Sequence, residues 1–435
     1  MQFQGTMTIN QADHLVIGGC DTVELARDFG TPLLVIDEAC FRERCRAFRQ
    51  AFHDGGVLYA GKAFLLQAIC RIIAEEGLGL DVVSGGELYT ALASGFPPDR
   101  LYFHGNNKSR EELEQAIMAG VGRIVVDNFR ELELLRELAD GNGRRVPVLL
   151  RLSPGIEAHT HDYIKTGQLD SKFGFALVNG QAEEAIRRVA DTPWLELVGL
   201  HCHIGSQIFA VEPYVEAASV MMDFAARVLQ VTGKAVEELD LGGGFGIYYA
   251  AGDQPKPPQE YAQAIRRVVT EKATALGIPL PRILVEPGRA IAGPAGTTLY
   301  TVGSIKEIPG VRKYVAVDGG MADNIRPALY QARYEALVAN KAAHPPEEVV
   351  SITGKCCESG DMLIWDIALP KVAPGDILAV SCTGAYCYAM ASNYNRLPRP
   401  AVVLVGDGNA ELIARRETYA DLLRLEILPR RLRQG

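Results

Sequence analysis

This 435-residue chain has no run of the ~18 apolar residues that a bilayer-spanning helix needs. No charged-then-apolar leader opens it. Its nine cysteines, at 20, 40, 45, 70, 202, 356, 357, 382 and 387, include no CxxC pair. An odd count at scattered spacing is not a disulfide framework, so a reducing cytoplasm is the expected location. Excess positive charge is missing as well. Acidic residues outnumber basic ones by 53 to 44, a net charge of −9, which argues against nucleic acid as a partner. The short run Arg430-Arg431-Leu432-Arg433 reads as a solvated end. No fixed-period repeat and no low-complexity linker appears. What remains is an ordinary soluble composition, 48% hydrophobic and 22% charged, in a chain long enough for two domains.

Eight short apolar runs alternate with helical patterns. They are Val57–Ala60, Leu80–Val83, Leu101–His104, Arg123–Val126, Val148–Arg151, Leu197–Leu200, Leu239–Leu241 and Arg282–Val285. Between them lie helix-like stretches such as Glu111–Ala119, Phe129–Leu138, Glu183–Ala190, Pro213–Val231 and Tyr261–Leu276. The pattern predicts a (β/α)8 TIM-like barrel over residues 35–290. After about residue 295 the pattern changes to strands: Thr298–Val302, Lys313–Val317, Glu348–Ile352, Asp376–Val380, Ala401–Val405 and Ala410–Ala414. Residues 1–34 and 291–435 are therefore assigned to a mainly β, sandwich- or barrel-like domain.

Polar motifs follow the barrel strands, where such barrels place their active sites. Lys62 follows Tyr59-Ala60-Gly61; its small, apolar flanks predict a desolvated amine able to form an imine with a cofactor aldehyde, or else a solvated strand end. Ser84-Gly85-Gly86 and Gly105-Asn106-Asn107 follow the next runs. The glycines of Gly242-Gly243-Gly244-Phe245-Gly246 could point backbone N–H groups at a phosphate or form a common tight turn. His201-Cys202-His203 resembles a metal set, but alternate residues face opposite ways, so one ion cannot take all three and no metal is expected. A stacking His203 with a phosphate-binding Ser206 fits better, beside the reading of a satisfied core histidine. Glu286 ends the eighth run and could pair with a pyridine nitrogen or with an arginine. Cys356-Cys357-Glu358 offers one thiol as a proton donor, with Cys356 on the wrong side of the chain, or a turn with buried cysteines. Arg326, Tyr330 and Tyr386 could bind or pack. His159-Thr160-His161 is assigned a loop role.

Taken together these motifs resemble the decarboxylases dependent on pyridoxal 5'-phosphate (PLP) that combine an alanine-racemase-like, fold type III barrel with a β domain. Within that group the chain is similar to the diaminopimelate decarboxylases. Tyr59–Ala63, Gly79–Leu88, His104–Lys108, Asp170–Gly174, His203–Gln207, Gly242–Gly244, Glu286–Arg289, Cys357–Asp361 and Gly384–Tyr386 carry the likeness. The resemblance implies decarboxylation of meso-2,6-diaminopimelate to L-lysine and CO2, the final step of lysine biosynthesis. It implies that Lys62 anchors PLP, that His203 stacks on its ring, and that Ser206 and Gly244 hold its phosphate. Glu286 would pair with the ring nitrogen, and Pro287, Gly288 and Arg289 would complete the cofactor site. Cys357 would reprotonate the substrate carbon. Arg289, Arg326, Tyr330 and Glu358 would grip the far end of the substrate, with Tyr386 shared between substrate and cofactor. Cys357 and Glu358 would come from a second subunit, making a homodimer with shared sites. Alanine racemases continue their lysine motif differently from Ala63-Phe64-Leu65-Leu66 and place an arginine on the ring nitrogen. The competing expectations are an ornithine, arginine or carboxynorspermidine decarboxylase on the same scaffold, and a non-catalytic PLP-binding protein.

Overall fold

The computed structural model describes residues 1–156 and 171–433. The expectations attached to His159, His161 and Asp170 lie outside the described residues. The chain divides into two compact units, Phe41–Gly293 and Met1–Cys40 with Pro294–Gly435.

The first unit is a closed barrel of eight parallel strands. Each of the eight predicted runs forms one: Gly56–Ala60, Gly79–Val82, Leu101–Phe103, Arg123–Val126, Val146–Ser153, Leu195–His201, Glu238–Asp240 and Arg282–Val285. They pair in sequence order, and the eighth pairs with the first. Strands walled in on both faces need apolar side chains at nearly every position, which is why they read as continuous apolar runs. Leu58, Tyr102, Val125, Leu149, Val198 and Leu284 pack together inside the barrel. Near the N-terminal strand ends, the buried Glu238 carboxylate accepts hydrogen bonds from Arg123 (2.9 Å), Arg282 (2.7 Å) and Tyr102 (3.1 Å). Charge there is neutralised by partners, so this end is closed by structure.

Local chemistry starts the helices that follow. Ser84 caps the helix Gly85–Ala93 by accepting the Glu87 N–H at 3.2 Å, and the Glu87 carboxylate returns to the Val83 N–H at 2.8 Å. Ser109 and Glu112 form a capping box on Arg110–Ala119. The polar Ser84-Gly85-Gly86 motif is thus a helix start.

The second unit holds a sheet ordered Met362–Leu369, Glu348–Thr353, Arg312–Val317, Gly296–Ile308, Leu33–Asp37, Ala401–Gly406 and Asn409–Ala414. Ile377–Ser381 also pairs with Gly296–Ile308, and Ala336–Val338 pairs with it in turn. All six runs expected after residue 295 are strands here. Residues 35–40, counted with the barrel from sequence order, belong to this unit. Leu33–Asp37 is hydrogen-bonded to Gly296–Leu299 and Ala401–Val405. Among the described residues, no helix is long and apolar enough to cross a membrane.

Candidate active site

The C-terminal strand ends of the barrel surround a cavity of about 300 Å³, whose lining includes Lys62, His104, Arg151, His201, His203 and Glu286. Lys62 sits in the turn Gly61–Ala63, directly after the first strand. The turn is held by Tyr59, whose hydroxyl donates to Phe64 O at 2.7 Å. Gly288 packs against it from the neighbouring strand end, where an added Cβ would meet Ala60 Cβ at 2.9 Å and Ala63 Cβ at 3.0 Å. The Glu286-Pro287-Gly288 segment thus carries the lysine turn at close range. Gly61, Ala63 and Phe64 are buried as expected, but Lys62 itself is exposed. The expected desolvation of its amine is corrected: the apolar flanks pack inward and direct the long side chain away from themselves.

Two loops meet beside it. Ile208 N–H donates to Gly244 O at 2.9 Å, and Gly246 N–H to Ile208 O at 3.0 Å. A Cβ on Gly244, whose φ is +100°, would lie 2.4 Å from Gly205 O, so only glycine allows this approach. His203 Nδ1 accepts the Gly243 N–H at 3.2 Å, which leaves its proton on Nε2. Burial, with help from the nearby Lys62 and Arg151 charges, holds this imidazole well below its ordinary pKa. Ser206 Oγ accepts from Arg289 Nη2 at 2.9 Å, and Arg289 Nη1 donates to the Tyr249 hydroxyl at 2.8 Å. Ser206, Gly244 and Arg289 are therefore tied into one assembly.

The cavity floor is Glu286, only 4% exposed. His201 Nε2 lies 3.3 Å from its Oε2, and His104 Nε2 lies 2.8 Å from its Oε1, off the line of a good hydrogen bond. Burial alone would raise the Glu286 pKa, but the two imidazoles outweigh it and hold the carboxyl well below its usual range. Buried Asp240 and Asp81 are shifted the other way, by burial first and by the Glu286 charge next to them. One ligand atom from each of His104, His201, Asp240 and Glu286 lies within 4.8 Å of the others. Asp81, His104 and Asp240 were given no role of their own from the sequence, and His201 only the metal reading set aside above. The available signal was a carboxylate inside each of two apolar strands, Leu80-Asp81-Val82 and Leu239-Asp240-Leu241. The floor fits a pyridoxal ring in one respect that geometry can test: Glu286 Oε1 is buried, faces the cavity and has no hydrogen bond. A ring N–H would satisfy it, and the Lys62 amine lines the same cavity.

Beside the floor, Lys108 Nζ donates to Gly105 O (2.6 Å), Val125 O (2.8 Å) and Glu131 (3.0 Å). This buried pair fixes the Gly105-Asn106 wall, so that motif serves to shape the cavity.

The remaining expected residues lie in the β unit. Arg326 is buried and begins the short helix Arg326–Tyr330. Its guanidinium hydrogen-bonds the Tyr334 hydroxyl, with Cζ 5.5 Å from that ring's centre. Tyr330 is partly buried at the end of the helix, and partly buried Tyr386 has a left-handed φ of +60°. Cys356 is buried and Cys357 exposed, in a bend after the strand Glu348–Thr353 where Glu358 N–H donates to Cys356 O at 2.8 Å. Burial, and then Asp361, pushes the Cys356 thiol up to about 12. Asp361 accepts the Met321 N–H at 2.6 Å and the Cys356 N–H at 2.7 Å, fixing the segment that presents Cys357 and Glu358, both exposed.

Asp323 gives this unit a pH dependence. Burial raises it to about 7 against the pull of a hydrogen bond from Tyr300. Its folded pKa lies above the unfolded value of about 3.9, so the native state binds the proton more tightly. Its stabilising contribution is complete below pH ~4 and is lost as the pH rises to about 7, on the order of 4 kcal/mol in all. The melting temperature is expected to fall between pH ~5 and ~8, and to fall less steeply in Asp323→Asn. Parallel curves for the two proteins would remove Asp323 as the cause.

Comparison with known proteins agrees with this geometry. Residues 38–293 match the family described as "Pyridoxal-dependent decarboxylase, pyridoxal binding domain". The barrel, the lysine after its first strand and the glutamate after its eighth define a decarboxylase of that class. Diaminopimelate decarboxylase of Bacillus subtilis (strain 168) is 56% identical over 98% of each chain, and that of Synechocystis sp. is 47% identical over 98% of this chain and 93% of its own. The crystal structure of diaminopimelate decarboxylase from M. jannaschii in complex with L-lysine superposes with a TM-score of 0.92 at 38% identity, covering 99% of this chain and 100% of that one. The chain belongs to the diaminopimelate decarboxylase family. A lysine/ornithine decarboxylase from Vibrio vulnificus, solved with putrescine, is more distant, at 25% identity and a TM-score of 0.76 over 92% of this chain and 100% of its own.

Proposed function

We propose a division of labour for the reaction this chain catalyses, the PLP-dependent decarboxylation of meso-2,6-diaminopimelate to L-lysine and CO2. The observation that carries the proposal is one cavity holding both a lysine amine and a low-pKa carboxylate with an unpaired oxygen. PLP, when bound, supplies a ring that accepts the electron pair left behind as CO2 departs. Lys62 Nζ would anchor it covalently from the same cavity. Glu286 holds a proton on the ring nitrogen through a charge-assisted bond. His203 would hold the ring from the side, and its neutral state would avoid a second cation there. Ser206 and Gly244 bind the phosphate, and Pro287 and Gly288 carry the chain from Glu286 to Arg289. Cys357 Sγ gives a proton to the carbon that has lost CO2. Arg289 and Arg326 grip the carboxylate that stays, Glu358 takes the ammonium beside it, and Tyr330 and Tyr386 complete the site.

The working unit in this reading is a homodimer, in which the β domain contributes to the interface and lends Cys357 and Glu358 to the other subunit. Their exposure supports that reading. The proposed location is the cytoplasm. The direct test is CO2 release from meso-diaminopimelate with ornithine and arginine as controls. Release from ornithine alone would select the runner-up, and a bound cofactor with no release from any amino acid would select a non-catalytic binder.

Borohydride treatment followed by peptide mapping is expected to place the cofactor on Lys62. An adduct on any other lysine sinks that assignment. Arg326→Ala tests the clamp. Losing one charge-assisted contact is expected to lower kcat/KM roughly ten- to a hundredfold. Lysine in its place keeps the charge without the fork and is expected to rescue only in part. A folded, PLP-loaded Arg326→Ala with parental kcat/KM would leave Arg326 as a packing partner of Tyr334.

A further inference from the structure

We infer that His104 and His201 are positioning residues that clasp the Glu286 carboxylate from two sides and fix it for the ring nitrogen of the cofactor. The inference rests on the Glu286 pairing proposed above. The three residues come from the ends of three strands, the third, sixth and eighth, and are 3%, 1% and 4% exposed. The two imidazoles meet edge to face, with ring centres 4.8 Å apart and planes at 73°. Each presents Nε2 to a different oxygen of Glu286, at 2.8 Å and 3.3 Å.

A buried carboxylate left to itself would take up a proton. An arginine or lysine bonded to it would prevent this but would also cancel the charge that the ring N–H needs. A neutral imidazole N–H favours the ionised carboxylate without cancelling its charge. Burial pushes His201 down to about 4, so it is neutral near pH 7. Its Nδ1 has no hydrogen bond, which places the single N–H on Nε2, facing Glu286. The neighbouring acids do not share the charge, and Asp240 is a further hydrogen-bonding neighbour of Glu286. Burial raises Asp81 and Asp240, and the Glu286 charge raises both further. Asp240 Oδ1 is occupied by the Gly242 N–H at 2.9 Å. The other charged or titratable groups around the floor include Lys62, Arg151 and His203, which line the cavity, and Glu87 and Asp127, which lie close enough to His104 to feel its charge. The floor therefore holds its negative charge on Glu286, hydrogen-bonded by His201 on one oxygen and flanked by His104 at the other.

The experiment reads the ring nitrogen directly. Apoenzyme is reconstituted with PLP labelled with nitrogen-15 in the ring, and the chemical shift of that nitrogen is followed against pH. Removing the His201 hydrogen bond to the charged carboxylate is expected to lower the pH at which the ring loses its proton by about one unit in His201→Ala, and loss of the His104 contact to lower it by less in His104→Ala. His201→Gln, which restores an N–H near the Nε2 position, is expected to recover most of the shift. It also carries the test, in comparison with His201→Leu, should the alanine variant not fold. A mere packing role predicts no ordered difference between a donor and a non-donor of similar size. Parental titration in the histidine variants, with Glu286→Gln shifted, overturns this inference and leaves the Glu286 pairing standing. An unshifted Glu286→Gln defeats the pairing itself. A stoichiometric transition-metal ion in the purified parent, lost in His104→Ala, also overturns the inference, since the four side chains would then be its ligands.

Discussion

Mixing Lys62→Ala and Cys357→Ala chains is expected to restore about a quarter of parental activity, although each variant alone is inactive. The number follows from symmetry. Random reassortment of equal amounts makes about half of all dimers mixed. In a mixed dimer one site receives both alanines, and the other receives the native lysine from one chain and the native cysteine from the other. Each parent is expected to lose essentially all turnover, because one lacks the proposed anchor and the other the proposed proton donor. The proposal behind this is that Lys62, in the barrel unit, and Cys357, in the β unit, meet only across two copies of the chain. Subunit exchange is checked with two affinity tags, and activity is read on the doubly tagged fraction. If that fraction is inactive, the shared site is refuted.

Glu286→Gln is expected to lower kcat on the order of a hundredfold or more while leaving KM little changed. Glutamine keeps the length, the carbonyl oxygen and the space of glutamate, but it cannot keep the charge. Its amide would also meet His104 and His201 with N–H against N–H on one side, so the floor loses both its anion and part of its bonding. The ring would hold its proton less firmly and draw electrons less strongly when CO2 leaves. Substrate binding draws on other groups, so the loss belongs in the chemical step. The measurement is single-turnover decarboxylation, in which product release cannot mask the effect. A parental single-turnover rate would show that Glu286 has no electronic role.

The barrel was legible in the sequence because parallel strands covered on both faces leave continuous apolar runs, and its motifs stand at the ends of those runs. Leu33–Asp37 was harder to place. It is apolar and precedes a helix, so sequence order alone makes it resemble a barrel strand. Only its hydrogen bonds to Gly296–Leu299 and Ala401–Val405 assign it to the β unit. Met362–Leu369 escaped notice for another reason. Register shifts along its pairing with Glu348–Thr353 break the two-residue alternation that marks a half-buried strand. Within the cavity, Lys62, His203 and Glu286 were visible because each closes a strand in a recognisable local motif. Asp81, His104, His201 and Asp240 were not, because their meaning lies in partners on other strands. The exposure of Lys62 also depends on three-dimensional packing: apolar neighbours along the chain did not imply an apolar surrounding in space.

The burial of the cysteines has a practical side. Eight of the nine are buried, and Cys357 is the exposed one. A maleimide fluorophore added to the native enzyme would therefore meet one accessible thiol per chain. The protein comes with its own conjugation handle, and no background cysteines need to be removed to use it. A dye there would also report on its own surroundings. If Cys357 lies in a neighbour's site, adding the product lysine would slow the labelling or change the emission, and dilution to separated chains would abolish that response.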